Sequence, residues 1–312
     1  MTVADKTVSI AFSAGLVPVK RDSKTVTALL QAAEASCRVA RGKGKNYVQL
    51  YHSDDMELSR HTQITKWAAR IDEALDEDRL ALRLQPIVCI ADDVRHVQRS
   101  EVLLSLRDEQ GEFTSPADFI VAAEQLRRMP AVDRWVIEHA FRWMVDNPDK
   151  LAATGGFAIN LSGASMNEEG FADFILAQAR KLQVPMDKVC FEVTETAGIA
   201  NLSDASEFIL AVKAVGSTFA LDDFGSGLSS YAYLKNLPVD FLKIDGVFVK
   251  DMHENPYDYA IVKSITEIGH FMGKKIIAEY VESDVILGML RAIGVDYAQG
   301  YATGRPRPLA EF

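Results

Sequence analysis

From about residue 80 onward, short apolar runs alternate with amphipathic segments of helical periodicity, and this alternation limits the fold more than any other feature. The apolar runs are LALRLQPIVCI, RSEVLLSL, GFAINLS, VCFEVTE, TFALDDFG, FLKIDGVF, KKIIAEYVE and VDYAQGY. The helical segments between them include DRWVIEHAFRWMV, GFADFILAQARKL, ASEFILAVKAV and YAIVKSITEIGHFM. Strands that alternate with helices form parallel sheets, and eight of them over roughly 230 residues favour an α/β protein with a (β/α)8 barrel. A doubly wound open sheet is the structural alternative, but no GxGxxG or Walker loop follows any of these strands.

The first 52 residues form a separate block, which we expect to be a small N-terminal α/β appendage. Two predicted strands, in KTVSIAFSAGLVPV and NYVQLY, flank the alanine-rich helical segment VTALLQAAEASCRVARGKG. Residues 53–79 are polar and helix-prone, which is typical of a solvated helix face. The sequence therefore predicts an appendage over 1–52, a helical linker over 53–79 and a barrel over 80–312.

The charge and the cysteines limit the partners and the compartment. A formal net charge of −10 argues against binding a nucleic-acid polymer, although it leaves room for a small anionic ligand held by a metal. The three cysteines are far apart and form no CxxC motif, as expected of free thiols in a reducing compartment. The sequence contains no apolar stretch of membrane-spanning length and no signal-peptide pattern at residue 1, so we expect a cytoplasmic location.

Polar residues interrupt these otherwise apolar runs. They are Glu101, Asn160, Glu192, Asp222, Asp223, Lys243, Glu279 and Gln299. At the C-terminal face of a barrel these side chains converge, and the carboxylates then repel one another unless a cation neutralises them. Oxygen donors without His or Cys favour Mg²⁺ or Mn²⁺ over zinc. An adjacent aspartate pair can help to hold two ions, which suits in-line displacement at a phosphodiester.

Each of these residues also has a simpler interpretation. A single acid near a strand end is commonly a helix N-cap or an ion-pair partner, and neighbouring side chains in a strand, such as Asp222 and Asp223, point to opposite faces. Lys243 is either a counter-ion to the acids or a group that orients the attacking water and stabilises charge on phosphate. Gly225 and Gly227 serve either a turn or a mobile loop beside the acids. We expect Lys243 and Glu101 to lie at a solvent-facing mouth, where their replacement removes chemistry without unfolding the barrel.

Residues 65–312 resemble the EAL family of cyclic di-GMP phosphodiesterases. The matching motifs, in the family's order, are LQPIV (84–88), EVLL (101–104), NLS (160–162), EVTE (192–195), DDFGSGLSS (222–230), LKID (242–245), AEYVE (278–282) and QGY (299–301). The resemblance implies a modified TIM barrel whose first strand runs against the others. It also implies hydrolysis of cyclic di-GMP to linear pGpG at a two-metal site that takes Mg²⁺ or Mn²⁺.

The resemblance also implies roles for individual residues. The metal ligands would be Glu101, Asn160, Glu192, Asp222 and Asp223. Lys243 would hold the nucleophilic water or the phosphate, Glu279 would bind metal-bound water and act as the general base, and Gln299 would position that water. Glu195 would fix the DDFGSG loop, and Glu282 would support the site without touching the metal. Substrate contacts would come from Gln85, Asp245, Ser105 and Arg107.

Three positions depart from the family pattern. Val102 replaces an alanine, which is a mild apolar exchange. Tyr280 replaces the usual glycine of AEGVE and is large enough to crowd the site. Ser105 stands where the family has an arginine that contacts a substrate phosphate, and a serine cannot supply a charged fork. Arg107, two residues on and therefore on the same strand face, is the alternative source of that charge.

The first 52 residues resemble the C-terminal part of a GGDEF domain, through VSIAFSAGLVPV and LLQAAEASCRVARGKGKNYVQLY. The GGDEF string itself is absent, which excludes cyclase activity for this chain. Two alternatives to an active phosphodiesterase are a cyclic di-GMP receptor without turnover and a Mg²⁺ barrel enzyme acting on an enolate. Receptor-type relatives usually lose metal ligands or the lysine, and the enolate enzyme does not explain the ordered motifs. A homodimer through the barrel helices is a family expectation.

Overall fold

The computed structural model describes residues 2–3, 6–7, 12–19, 29–30, 33, 36–37, 40, 47–50, 71–76, 79–91, 96–107, 113–114, 116–195, 197, 202–225 and 234–312. These residues belong to two compact units. The smaller comprises Met1–Glu73 and Ala117–Leu126, and the larger comprises Ala74–Pro116 and Arg127–Phe312.

The smaller unit contains two short sheets. Strand β1 (Thr2–Val3) pairs antiparallel with β2 (Lys6–Thr7), and β3 (Ala14–Leu16) pairs parallel with β4 (Val48–Leu50). Helical residues lie between β3 and β4 at 29–30, 33, 36–37 and 40, as the predicted strand–helix–strand order requires. Helix α1 (Ala117–Gln125), which the sequence patterns did not predict, belongs to this unit. The predicted linker helix falls mostly outside the described residues, although residues 71–76 are helical.

The larger unit is a closed barrel of eight strands. Their bounds are β5 Leu80–Cys89, β6 Val97–Arg107, β8 Phe157–Leu161, β9 Val189–Thr194, β10 Thr218–Phe224, β11 Phe241–Ile244, β12 Lys275–Ala278 and β13 Tyr297–Ala298. All neighbours are parallel except β5, which is antiparallel to both β6 and β13. Short strands β7 (Phe113–Thr114) and β14 (Arg307–Pro308) pair with β6 and β5. The predicted modified barrel with a reversed first strand is confirmed.

Helices connect the barrel strands. Their bounds are α2 Met129–Asp146, α3 Pro148–Thr154, α4 Gly163–Met166, α5 Phe171–Leu182, α6 Leu202–Lys213, α7 Gly246–Val249, α8 Pro256–Phe271 and α9 Asp284–Ile293. The predicted run FLKIDGVF was too long for a strand, because Asp245 accepts a hydrogen bond from the Val247 backbone N–H at 2.9 Å and caps α7. No helix among the described residues is both long and apolar enough to cross a bilayer.

The barrel interior is filled in layers. The lower layer is largely apolar and consists of Ile87, Ala158, Cys190, Ala220, Phe241 and Ile277, with Tyr297 packed against it. Arg99 lies at the same level, where its Nη1 donates to Thr218 Oγ1 at 2.9 Å and its guanidinium is 5.2 Å from the Phe241 ring centre. Burial raises the pKa of the Cys190 thiol to about 11, so this thiol stays protonated. The layer forms an inert floor beneath the next set of inward side chains.

Candidate active site

A polar layer lies directly above the apolar floor, with one side chain from each strand. Its members are two residues further toward the mouth than the floor residues of the same strand: Gln85, Glu101, Asn160, Glu192, Asp222, Lys243, Glu279 and Gln299. Successive inward positions of a strand are two residues apart, so the chain moves from an apolar to a polar layer in one step. The strand-end pattern predicted seven of these residues, and the family resemblance supplied Gln85.

Lys243 is the centre of this layer. Its Nζ lies 2.6 Å from Glu192 Oε2, 2.8 Å from Glu279 Oε1 and 3.1 Å from Asp222 Oδ1, and Glu101 Oε2 is 3.8 Å away. The expectation that Lys243 and Glu101 face solvent at the mouth is wrong, because Lys243 is 0% exposed and Glu101 6% exposed. The strands bury both residues because the polar layer lies inside the barrel wall.

The electrostatics of the layer follow from crowding several carboxylates around one ammonium group. Burial disfavours the charged form of Lys243, but Asp222 and the neighbouring glutamates outweigh it and hold its pKa well above the usual range. Burial raises the pKa of Glu279 to about 8, with Asp222 and Glu101 adding to the shift and Lys243 opposing it. Burial likewise raises the pKa of Glu192 well above its usual value. Ionised together, these carboxylates would carry more negative charge than the one lysine neutralises, so burial and their mutual repulsion favour protonated forms.

A chain of amide hydrogen bonds fixes Glu101. Asn160 Nδ2 donates to Glu101 Oε1 at 2.6 Å, and Gln299 Nε2 donates to Glu101 Oε2 at 2.5 Å. Gln299 Nε2 also lies 3.3 Å from Gln85 Oε1, and Gln85 Nε2 donates to the Gly304 carbonyl at 3.2 Å. Cross-strand register makes this possible, because Gln85 is the partner of Glu101 in the β5–β6 ladder. Both oxygens of this carboxylate are thus held in place.

The two adjacent aspartates reach the same site through a break in the strand. The register between β10 and β11 shifts between Leu221 and Phe224, and Asp223 has a left-handed φ of +55°. This conformation cancels the alternation that would send neighbouring side chains to opposite faces, and carboxylate oxygens of Asp222, Asp223 and Glu279 lie within 4.8 Å of one another. Burial raises the pKa of Asp223, and the charges of Asp222 and Asp245 raise it further.

The donor set of this site fits a hard divalent cation. Among the described residues, Glu192 Oε1 and Gln299 Oε1 are buried oxygens without a hydrogen-bond partner. Unpaired buried acceptors are costly, whereas a cation satisfies them and also lowers the pKa of the crowded carboxylates. Because the donors are oxygens, the site suits Mg²⁺, Mn²⁺ or Ca²⁺ better than zinc.

An open cavity gives access to the polar layer. It is lined by Gln85, Glu101, Glu279, Tyr280, Glu282, Gln299, Gly300, Tyr301 and Pro306. Of the predicted substrate contacts, Gln85 lines it, whereas Asp245, Ser105 and Arg107 are not among its lining residues. Ser105 is buried opposite Ala81 in the β5–β6 ladder, and Arg107 is exposed at the end of β6.

Comparison with known proteins identifies the family of the chain. The sequence profile of the EAL domain matches residues 68–306. The chain belongs to the EAL domain family. Cyclic di-GMP phosphodiesterase PdeB of Shewanella oneidensis is 44% identical over 284 residues, which are 91% of this chain and 33% of that protein. Cyclic di-GMP phosphodiesterase PdeF of Escherichia coli is 37% identical over 242 residues, 78% of this chain and 32% of that protein.

Solved EAL structures superpose on the barrel. The c-di-GMP complex of the PaMucR phosphodiesterase has a TM-score of 0.74 and 29% identity, covering 79% of this chain and 99% of that one. The FimX EAL domain of Pseudomonas aeruginosa bound to c-di-GMP has a TM-score of 0.68 and 28% identity, covering 77% of this chain and 96% of that one. The chain spans about a third of the length of the curated relatives it matches.

Two further contacts shape the EAL site. Glu195 accepts a hydrogen bond from the Gly225 backbone N–H at 3.2 Å, directly after the aspartate pair, while residues 226–230 of that motif lie outside the described residues.

Asp133 of α2 was not predicted from the sequence. Its Oδ2 accepts from Ser162 N at 2.9 Å, Ser162 Oγ at 2.7 Å and Ser165 Oγ at 2.6 Å, which fixes the turn that follows Asn160. An acid on the apolar face of an amphipathic helix is the signal that would have found it.

Proposed function

We propose that this chain is a metal-dependent phosphodiesterase that hydrolyses cyclic di-GMP to linear pGpG in bacterial second-messenger signalling. The observation that supports it most is the polar layer of the EAL barrel, in which Lys243 lies among carboxylates beneath an open cavity. A nucleotide phosphodiester is an anion, and a carboxylate-rich site binds an anion only through cations. The names of the relatives and the c-di-GMP in the superposed complexes support this substrate.

We propose Mg²⁺ or Mn²⁺ as the cations of this two-metal site. The residues that would hold them are Glu101, Asn160, Glu192, Asp222 and Asp223. When bound, such ions polarise phosphoryl oxygens and lower the pKa of water. The unpaired oxygen of Glu192 and the crowding of Asp222 and Asp223 support this assignment.

The remaining polar residues would move and hold protons. Glu279 is the proposed general base, because its carboxylate lies beside the Lys243 ammonium and lines the cavity that leads to the polar layer. Lys243 Nζ, 2.8 Å from Glu279, would hold the attacking water or the phosphate while keeping the charge balance. Gln299 would orient the water and Gln85 would contact substrate, whereas Asp245, Ser105 and Arg107 are weaker candidates because none of them lines the cavity.

A single-turnover assay tests this function. Excess purified chain is mixed with cyclic di-GMP and Mg²⁺ or Mn²⁺, and linear pGpG is followed by chromatography, with EDTA in a parallel sample. We expect product only with the cation, and a loss of at least about a hundredfold for Glu101→Gln, which disrupts the hydrogen bonds to Asn160 and Gln299. Glu168→Gln, the same change at an exposed glutamate, is the matched control. Binding without product would indicate a receptor, and product in excess EDTA would contradict the metal assignment.

We further propose that the smaller unit derives from the C-terminal part of a GGDEF domain, which is supported by the parallel β3–β4 pair with helical residues between them in sequence. A homodimer and a cytoplasmic location also remain predictions. Sedimentation equilibrium of the purified chain, with and without cyclic di-GMP, tests the dimer. Fractionation of cells that produce the native protein tests the location.

A further inference from the structure

Tyr280 has an unusual backbone and an unusual position. It follows β12 and the site residue Glu279, has a left-handed φ of +57°, and lines the open cavity with 59% of its surface exposed. The Tyr280 side chain packs closely against the backbone of Gly246. A Cβ added to that glycine would lie 2.6 Å from Tyr280 Cβ and 3.0 Å from Tyr280 Cδ2. The Tyr280 ring is therefore exposed, while its Cβ packs against Gly246.

Tyrosine is disfavoured in this backbone conformation, so its presence needs an explanation from its ring. Left-handed φ values cost an ordinary L-residue roughly 1–2 kcal/mol, and Gly or Asn adopts them more readily. A strained residue at the edge of an active site is grounds for a functional hypothesis. An exposed large aromatic side chain gains little from burial, so burial does not account for this residue.

The second tyrosine of the cavity differs from Tyr280. The Arg305 guanidinium lies 4.4 Å from the ring centre of Tyr301, so that ring already has a cation on one face. For Tyr280, no stacked ring or cation–π contact occurs with the described residues. Tyr280 therefore presents an aromatic face to the space above the polar layer.

We propose that the Tyr280 ring stacks on a nucleobase of the dinucleotide substrate and so sets its affinity. This inference rests on the proposed function and adds a recognition element to the same site. Stacking uses the π-face that every base has, so it contributes affinity without reading the base edge. The size of Tyr280 suggested the opposite effect, since a ring that crowded the site would reduce affinity for the substrate.

Three variants test the inference. Tyr280→Phe keeps the ring, Tyr280→Asn removes it while suiting a positive φ, and Tyr257→Asn makes the same change at an 80% exposed tyrosine that does not line the cavity. KM for cyclic di-GMP and the inhibition constant of dimethyl phosphate, a phosphodiester without a base, are measured for each. Thermal unfolding checks that the variants fold, and Tyr280→Gly is the substitute if Tyr280→Asn does not.

We expect Tyr280→Asn to raise KM for cyclic di-GMP by roughly five- to a hundredfold, the range of stacking on one aromatic side chain, and to leave the inhibition constant of dimethyl phosphate within about twofold. Tyr280→Phe and Tyr257→Asn should stay within about twofold in both measurements. An unchanged or lower KM for Tyr280→Asn would overturn the stacking role, and so would equal losses for both ligands. If the native chain does not bind cyclic di-GMP at all, the proposed function fails together with this inference, whereas normal turnover with an unaffected Tyr280→Asn variant rejects only the inference.

Discussion

Lys243 stabilises the polar layer because its charge is shared among several acids. The ammonium is fully buried and lies within 3.1 Å of oxygens from Glu192, Asp222 and Glu279. Each buried charge loses its hydration, so it is stable only when opposite charges lie beside it. The two interpretations of Lys243 left open by the sequence, counter-ion and catalytic group, are therefore compatible, and the counter-ion role alone can be tested without substrate.

We expect Lys243→Met to destabilise the metal-free protein. Removing one partner of a buried ion pair lowers the free energy of unfolding by about 3–5 kcal/mol, because the remaining charges lose their counter-charge. Mg²⁺ should reduce the loss, since a cation replaces the missing positive charge. Urea unfolding in EDTA and in Mg²⁺ measures both effects.

The control for this prediction is Lys263→Met, at an exposed lysine whose i,i+4 pair with Glu267 has an N–O distance of 3.9 Å. It should change the free energy of unfolding by less than about 0.5 kcal/mol. Equal stability of Lys243→Met and the native chain in EDTA would show that the acids do not need this lysine.

At the scale of elements, the sequence predicted the barrel strands better than their ends. Alternation predicted all eight strands and four major helices, because long periodic segments carry a strong signal. The reversed direction of β5 came only from the family resemblance, since an apolar run reads the same in either direction. The short helix α7 was assigned to a strand, because its cap Asp245 looks like one more strand-end acid until the backbone is seen.

The sequence does not predict how the side chains of Asp222 and Asp223 come to lie at the same site. Two neighbouring acids indicated a cation, but strand geometry alone separates their side chains. A register shift and one left-handed residue bring them together, and neither has a sequence signature here, because the left-handed residue is an aspartate rather than a glycine. The site therefore depends on a local irregularity of β10.

Two substitutions of Asp223 separate its backbone role from its charge. Both Asp223→Asn and Asp223→Val remove the carboxylate and should lower turnover by at least about a hundredfold. Asn accepts φ near +55°, so Asp223→Asn in EDTA should be at least as stable as the native chain, relieved of repulsion with Asp222. Asp223→Val should lose about 1–2 kcal/mol relative to Asn. Thermal unfolding in EDTA compares them, and equal stability of the two variants would rule out a backbone constraint at this position.

For the whole molecule, whose formal net charge is −10, the dependence of stability on pH follows from the acids that the barrel encloses. Burial raises the pKa of Glu192, Asp223 and Glu279. A carboxyl group whose pKa is higher in the folded chain keeps its proton where the unfolded chain has lost it. The resulting stabilisation is full at low pH and disappears as pH rises from about 4, the unfolded value, through the folded pKa. For Glu279 that interval ends near pH 8.

Asp296 and Lys243 also have shifted pKa values, and both act outside this interval. The pKa of Asp296 is lowered on balance, since its burial is outweighed by hydrogen bonds from Lys275, His270 and the Ile276 backbone N–H, so its contribution is lost only in acid below about pH 4. The raised pKa of Lys243 contributes stability that is fully present below its unfolded value, about 10.4, and is therefore constant between about pH 5 and pH 8. Between those values the enclosed acids determine how the free energy of unfolding changes.

We therefore expect the free energy of unfolding of the metal-free protein to fall between about pH 5 and pH 8, by up to about 1.4 kcal/mol per pH unit for each acid that titrates. Mg²⁺ should flatten or reverse this slope, because a divalent cation stabilises the ionised carboxylates and binds better as they deprotonate. Urea unfolding at several pH values, in EDTA and in Mg²⁺, measures both slopes. Glu279→Gln removes one titrating group and should reduce the slope in EDTA. A metal-free stability that stays level or rises over this range would mean that the enclosed acids are ionised without a cation, and the cation would then not be needed to balance the charge of the barrel.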